Sequence, residues 1–396
     1  MFKHLFINHS IAIFQPHSDF ITNPTLVSLL ESLACCGARV DLFMPESGHF
    51  QTGNDRINQY RFPPTFSFWK GNLRKTAGNW LRCIQQKRID RTFAIGNYDL
   101  IIGVDSAGII KGWEYAKRFN LPLAYLSFEI FFRDELKTRE QFTEKMRECT
   151  ASQFADLIII QDKWRAKLLA EENYLSGKNF EYLPVSSAGL PISKKDDYLR
   201  KRFNISEKKT IILHTGAFDE WTYGGELIEN AATWPEDFIL VIHSPWRTNN
   251  KLIQKIRQSQ INDNIVLSTD SLPADEYERL AASADIGLAL YKPVSESLYT
   301  GKNIQTMGLS SGKFSSYMKC GIPVVSINQK TYAELLIDYD FGKDISSFDQ
   351  MVNALSSIRS NYDYHRAEAQ RLYSEKLDFN IYWPKISKSL SEIIKR

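Results

Sequence analysis

The chain has 396 residues, 43% of them hydrophobic and 24% charged, with 49 lysines and arginines against 46 aspartates and glutamates for a formal charge of +3. At roughly 150 residues per domain, this length implies two or three domains, each able to bury a core. Neither the low hydrophobicity nor the large net charge that keeps a chain disordered is present. Near-balanced charge also speaks against a general nucleic-acid binder, which needs a basic excess to neutralise phosphates. The longest apolar stretches, such as 157–160 and 239–242, fall far short of the roughly 20 residues that span a bilayer.

The first strand is expected at 5–8, where Leu5, Phe6 and Ile7 form an apolar run too short and too quickly interrupted by Asn8 and His9 for a signal peptide. Pro24 opens a helix that runs to about Cys36 and stops at Gly37, the usual order of Pro near a helix start and Gly beyond its end. A strand follows at 40–44. The stretch 69–91 then carries Lys70, Arg74, Lys75, Arg82, Lys87, Arg88 and Arg91 against the single acid Asp90. Within it Trp69, Leu73, Thr76, Trp80 and Ile84 fall on one helical face. Such a stripe packs on a sheet or lies on an anionic membrane with its basic residues among headgroups, so a peripheral membrane contact from Trp69 to Arg91 is one expectation.

Short runs rich in Ile, Val and Leu predict further strands at 100–104, 123–127 and 157–161, and in the second half at 210–214, 238–243, 264–268, 286–290 and 323–327. Between the halves, 191–209 is dense in Lys, Asp, Arg and Ser and reads as a solvated connector. After Pro384, Ile386, Leu390 and Ile393 continue the spacing begun at Ile381, so the end of the chain is expected to be helical. The fold class is α/β: two doubly wound domains facing across a cleft, with the strand C-terminal ends forming its walls. That design suits a two-substrate enzyme, and also a periplasmic binding protein, which the missing signal peptide disfavours. Five cysteines without CxxC or Cys/His ligand spacing support neither zinc nor a disulfide framework and fit the cytoplasm.

The most informative segment is 308–326. Ser310, Ser311 and Gly312 precede a short helix whose first amides lack intrahelical partners. Lys313 adds a positive charge in the first turn, where the macrodipole disfavours it. A bound phosphate explains this placement, and so does an ordinary capped helix with a solvated Lys.

Lys313, Tyr317, Gly321, Pro323 and Val324 fall in register with the Ser/Pro-x-Lys-x-x-Glu-Tyr-x-x-x-Gly-x-Pro-Val pattern that opens the donor-diphosphate helix in many nucleotide-sugar-dependent glycosyltransferases of the GT-B fold, which the chain therefore resembles. The run 284–293 followed by Asn303 looks like the strand before the donor loop, and 210–218 like the strand and Gly loop that open the donor domain. The stretches 148–162 and 182–184 resemble the end of the acceptor domain. The likeness runs along nearly the whole chain in the right order. It implies an acceptor-binding Rossmann-like domain at 1–190, the connector 191–209, a nucleotide-sugar-binding Rossmann-like domain at 210–379, and a C-terminal helix at 380–396 packing toward the first domain.

By the same resemblance, donor contacts are expected from Gly216, His214, His243, Ser268, Lys292, Asn303, Ser310, Ser311, Gly312, Lys313 and Ser316. The pattern is broken at Ser316 and Gly308, where the family often carries Glu. It is broken again near Ala217 and Thr222, where an Arg and a Lys often grip the diphosphate. Charge neutralisation therefore rests on Lys313, Lys292 or Lys302. Helix amides plus a cation stabilise a leaving diphosphate without metal, and no DxD-like pair stands at the presumed diphosphate site; Asp196 and Asp197 read as solvated charge in the connector.

An inverting mechanism also needs a general base at the acceptor hydroxyl. Asp105 and Glu129 follow expected strands, and His17 lies with Asp19 in the loop after the first one. Each has an ordinary reading as well: a helix cap for Asp105, an ion pair with Arg133 for Glu129, solvent for His17. His214 and His243, each closing a donor-domain strand, are placed to hydrogen-bond phosphate or sugar hydroxyls, or to be satisfied core histidines.

The expectation is thus a cytoplasmic, membrane-associated, metal-independent glycosyltransferase without cofactor. It would move a sugar from a UDP- or GDP-linked donor to a glycan or lipid-linked acceptor, and would bind no nucleic acid. The alternatives are a non-catalytic sugar-nucleotide or partner-binding protein, and an epimerase or hydrolase on the same fold.

Overall fold

The computed structural model describes residues 4–15, 23–45, 52–62, 87, 89–245, 250–258, 264–295 and 297–395. The chain divides into two compact units, one formed by Met1–Ala188 with Tyr382–Arg396 and the other by Gly189–Ile381.

The first unit is built on seven strands: β1 (Ser10–Phe14), β2 (Arg39–Pro45), β3 (Ile57–Phe62), β4 (Leu100–Val104), β5 (Leu123–Leu126), β6 (Leu157–Ile160) and β7 (Phe180–Tyr182). Their order is β3-β2-β1-β4-β5-β6-β7, with every pairing parallel. Parallel sheets bury both faces, which is why these strands read as nearly continuous apolar runs. The order turns outward from β1 and β4, placing the switch point of the sheet beside their C-terminal ends.

The first strand is not at 5–8. Residues 4–8 form turns, Asn8 adopts a left-handed φ of 66°, and the strand is Ser10–Phe14, with Ile11, Ala12 and Ile13 fully buried. The bulk of Leu5, Phe6 and Ile7 misled the reading, since a central strand needs room on two faces and Ala12 supplies it. The edge strand β3, with sequence INQYRF, is polar enough to escape notice. It is held by its register on β2 and by Asn58 Nδ2 donating to the buried Asp41 (2.8 Å). On one face of the sheet Phe14 stacks on Phe43 and Tyr115, at 4.8 and 5.2 Å between ring centroids. The last helix, Phe379–Ile394, joins this unit from Tyr382 onward. Lys385 Nζ and Ser389 Oγ both reach the buried Glu181 carboxylate at 2.8 Å.

The second unit carries β8 (Thr210–Thr215), β9 (Phe238–His243), β10 (Ile265–Ser268), β11 (Ile286–Ala289), β12 (Val324–Ile327) and β13 (Gly342–Ile345) in the order β10-β9-β8-β11-β12-β13. All pairings are again parallel, and the switch point lies between β8 and β11. β13, with sequence GKDI, lacks the apolar run that marks the others. Residues 191–209, expected as a solvated connector, instead belong to this unit. Leu199 is fully buried on the short helix Tyr198–Phe203, Ile192 N donates to Lys319 O (2.8 Å), and Asp196 is paired with Arg279 (3.0 Å). Leu199 and Ile205 are few in number, but they face the core.

Among the described residues no helix is long and apolar enough to cross a membrane, and no cluster of three or more His, Cys, Asp or Glu is arranged to hold a metal ion. Cys35, Cys36, Cys149 and Cys320 are free thiols.

Candidate functional site

In the second unit, β8 ends at Thr215 and the chain turns at Gly216, whose φ of 86° favours a residue without a Cβ. The turn is tied to the neighbouring strand by Gly216 N donating to His243 O (3.0 Å). The helix Gly312–Lys319 starts beside it: a Cβ built on Gly216 would lie 3.8 Å from Lys313 Cε. Ser311 caps this helix, its Oγ accepting from Phe314 N (3.1 Å) while sharing a 2.6 Å hydrogen bond with the Tyr291 hydroxyl. That cap serves the third helical amide, and the amides of Gly312 and Lys313 before it have no carbonyl one turn back.

The Lys313 ammonium lies over the Tyr291 ring, 5.2 Å from its centroid. Its nitrogen is buried with no hydrogen-bond partner among the described residues, although part of the side chain is exposed. Burial alone brings its pKa down from 10.5 to about 7. A cation deprived of water and given no counterion is unfavourable unless an anion arrives.

His214 is fully buried, and its Nε2 must donate to the Ala217 carbonyl (2.9 Å), since a carbonyl oxygen only accepts. Nδ1 is then a bare lone pair, buried and unpartnered. Burial, and after it the Lys313 charge, hold this ring neutral, with its pKa well below 6.5. It is therefore placed to accept a hydrogen bond and not to bind phosphate. His243 shares a 3.0 Å hydrogen bond with Ser268 Oγ through Nδ1 and leaves Nε2 buried and unpartnered; burial first, then Arg202, lower its pKa to about 4. The two histidines do not share a face. His243 is the register partner of Thr215, while His214, one residue earlier, points to the opposite side of the sheet, where it meets Phe218 edge-on.

The other expected donor residues are more committed to the protein. Lys292 pairs with Glu226 and sits 5.1 Å above the Tyr223 ring. Ser310 Oγ donates to Met307 O (2.7 Å) and the buried Asn303 Nδ2 to Tyr299 O (3.3 Å). Ser316 is half-buried on the Gly312–Lys319 helix. The pattern residue Tyr317 is structural: its hydroxyl donates to Leu213 O (3.0 Å) and accepts from Thr215 N (3.1 Å), clamping the helix to the end of β8.

In the first unit, Asp105 directly follows β4 and takes a left-handed φ of 53°. It does not cap its helix. Oδ1 accepts from the amides of Phe128 (2.6 Å) and Glu129 (3.0 Å), and Oδ2 is buried without a partner. Burial, then the Glu129 charge, push its pKa up to about 8 in spite of those two bonds. Glu129 is half-buried, and Arg133 is paired with Glu172 (3.1 Å).

Sequence reasoning missed three groups at this edge. Arg165 is the largest fully buried side chain, donating to Gln161 Oε1 (2.7 Å) and Phe128 O (2.8 Å). Gln161 in turn donates to Ser127 O (2.6 Å). Gln15, just past β1, is fully buried with neither amide atom partnered among the described residues. No motif marks them; a polar residue ending an apolar strand was the available signal. His17 and Asp19 lie outside the described residues, as does most of 69–91. At its end Lys87 and Arg91 are exposed, and Asp90 accepts from the Tyr115 hydroxyl (2.5 Å).

No protein-family model and no curated protein sequence matches the chain. Solved structures match along almost all of it. Sucrose-phosphate synthase from Thermosynechococcus elongatus is 16% identical with a TM-score of 0.71, the alignment covering 98% of each chain. HepE of Anabaena, in complex with UDP and glucose, is 15% identical with a TM-score of 0.71 over 97% of this chain and 100% of HepE. WaaG, a glycosyltransferase involved in lipopolysaccharide biosynthesis, is 13% identical with a TM-score of 0.63 over 97% and 99%. At such identities the likeness establishes the fold: the chain has the α/β architecture of two Rossmann-like domains known as GT-B.

Proposed function

We propose that the chain is a metal-independent glycosyltransferase that takes a sugar from a UDP- or GDP-linked donor and passes it to a glycan or lipid-linked acceptor, in polysaccharide or glycoconjugate biosynthesis. The observation that carries this reading is the buried, partnerless Lys313 ammonium at the start of the Gly312–Lys319 helix and beside the Gly216 turn. A diphosphate there would receive two helix amides and one cation, which is the electrostatic stabilisation a departing nucleoside diphosphate needs. HepE, whose structure holds UDP and glucose, shares the fold over its full length, which supports a nucleotide-sugar donor.

In this reading Lys313, Gly216, Gly312 and Ser311 form the phosphate subsite. His214 accepts a hydrogen bond from the ligand or from the Lys313 ammonium. His243 and Ser268 line the neighbouring strand ends, Ser316 lies one turn along the helix, and Lys292, Asn303 and Ser310 shape the surrounding loops. On the first unit, Glu129 takes the proton of the acceptor hydroxyl, and Asp105, 1% exposed and bonded to two amides, positions it.

The test is thermal stabilisation of the purified protein by UDP, GDP and a panel of their sugars. One nucleotide series should raise the melting temperature, and Lys313→Ala should weaken that binding at least tenfold. Absence of stabilisation by any nucleotide refutes the proposal; stabilisation without nucleotide release in the presence of any acceptor favours a binding protein.

A further inference from the structure

We propose that the outward face of the helix Arg139–Phe154, together with Trp113 on the neighbouring helix Asp105–Phe119, docks the first unit on an anionic lipid surface. The helix is amphipathic in the reverse of the usual sense. A surface helix turns its apolar stripe to the core and its polar side to water, yet here Lys145, Glu148 and Ser152 are buried while Phe142, Met146 and Phe154 are 49%, 53% and 48% exposed. The three apolar residues follow a four-residue spacing interrupted only by Thr150, so they share one stripe along the helix.

A buried network holds the helix in this orientation. Lys145 Nζ donates to Asn173 Oδ1 (2.6 Å) and pairs with Glu148 (3.3 Å). Asn173 Nδ2 donates to Glu148 Oε1 (2.9 Å), and the Tyr125 hydroxyl donates to the same oxygen (3.1 Å). Turning the helix over would return Lys145 and Glu148 to water and bury Phe142, Met146 and Phe154. Stability alone favours that reversal, since a buried ion pair carries a desolvation penalty that apolar packing avoids. An apolar face kept outward against that preference is a contact surface.

Charge identifies the occupant. Arg139 and Arg147 stand on the stripe, and its other exposed polar residues, Thr143, Thr150 and Gln153, are neutral. Arg139 has no ion-pair partner among the described residues. Arg147 bonds Glu114 (2.7 Å), the acid that Lys111 also takes (3.0 Å). Trp113, Phe142 and Met146 line a groove of about 430 Å³ bordered by both arginines, and Lys117 lies 5.8 Å from the Trp113 ring centroid. Apolar side chains that enter the acyl boundary, beside cations that reach phosphates, match an anionic bilayer surface. A second copy of the chain would instead set one arginine-bearing stripe without acids against another. Every residue involved belongs to the first unit, so the proposal does not depend on the donor site.

The experiment is flotation of the full-length protein, without nucleotide, on vesicles of phosphatidylcholine alone and of phosphatidylcholine with about 30% phosphatidylglycerol. Wild type should float with the anionic vesicles and stay behind with the neutral ones, and its flotation should fall as salt rises. Phe142→Gln with Met146→Gln should weaken the partition about tenfold, and Arg139→Gln about fivefold. All three side chains are exposed, so the melting temperature should stay at the wild-type value. Wild type that floats with neither vesicle overturns the proposal. So does a double variant that floats within twofold of wild type, a result that would move the membrane contact to another part of the chain, such as 69–91. Equal flotation with both vesicles overturns the role of the arginines. Retention on polyglutamate without flotation overturns the lipid assignment in favour of an acidic protein. A dimer in sedimentation velocity that the double variant dissociates, again without flotation, overturns it in favour of a second copy. Because no nucleotide enters the assay, its failure leaves the transferase reading untouched.

Discussion

Lys313→Met should make the ligand-free protein more stable while disabling nucleotide binding. The wild-type ammonium is buried without a partner, and its pKa falls from 10.5 to about 7. At ~1.4 kcal/mol per tenfold change in proton affinity, the charged form burdens the fold by about 5 kcal/mol. The sign follows from proton counting. Between pH 7 and 10.5 the unfolded chain holds a proton that the folded chain has released, so wild-type stability rises with pH across that window, and the full burden is felt below pH 7. Methionine keeps most of the side chain's bulk and carries no charge. The variant should therefore gain several kcal/mol at pH 6, and the gap should close toward pH 10. Urea unfolding of both proteins at pH 6, 7, 8, 9 and 10 measures it. Titration calorimetry with UDP in HEPES and in Tris at pH 8 adds the second half: close to one proton should be taken up on binding to wild type. A Lys313→Met protein that is less stable at pH 6, or a gap independent of pH, would refute the argument that this cation waits for an anion.

Asp105→Asn should behave in the same spirit on the first unit. The folded pKa near 8 lies above the ordinary 3.8, so the folded state resists ionisation, and wild-type stability falls as pH rises from about 4 to about 8. Asparagine keeps an acceptor for the Phe128 and Glu129 amides and tolerates φ of 53° better than most residues. Its stability advantage, read by urea unfolding, should grow across that window and level off above it; an advantage that shrinks with rising pH contradicts the burial argument. Gly216→Ala, forced to φ of 86° with its Cβ 3.8 Å from Lys313 Cε, should lose about 1–2 kcal/mol of stability and bind UDP more weakly, both measurable by thermal shift.

Much of the fold was legible because parallel strands buried on two faces leave contiguous apolar runs: β4 and β9 coincide with their runs, and most others differ by a residue or so at an end. What escaped has physical reasons. β3 and β13 have polar sequences, INQYRF and GKDI, and are edge strands whose pairing comes from the neighbour already in place. β1 hid behind a bulkier run because Ala12 matters to a crowded centre more than Leu5 does. On the site, the Lys313 segment was legible because a helix start imposes local spacing. The grip on Ser127–Glu129 was not, since Arg165 and Gln161 reach the loop from another strand and helix, and such contacts of more than 30 residues in separation leave no local period. Nor were the protein partners of Lys292 and Ser310, Glu226 and Met307 O, legible in the sequence.

Several candidate residues carry buried polar atoms that the protein leaves unpaired. Folded proteins pair nearly all buried polar atoms, so each exception calls for a cause. Gln15, Asp105, His214, His243 and Lys313 each keep a buried side-chain atom without a partner. Four of them lie in the last two residues of a central strand or directly after it, and Lys313 lies on the helix beside the Gly216 turn after β8. Others, on His9, Arg39 and Asp237, stand at strand N-terminal ends, so it is their place at the edge where doubly wound sheets take ligands that singles out these five: a ligand completing their bonds would regain on arrival what the empty fold gives up. The same logic separates Gln15 from its apolar neighbours. A fully buried amide at the end of β1, with neither oxygen nor nitrogen engaged among the described residues, has the character of a ligand contact that no sequence motif announced.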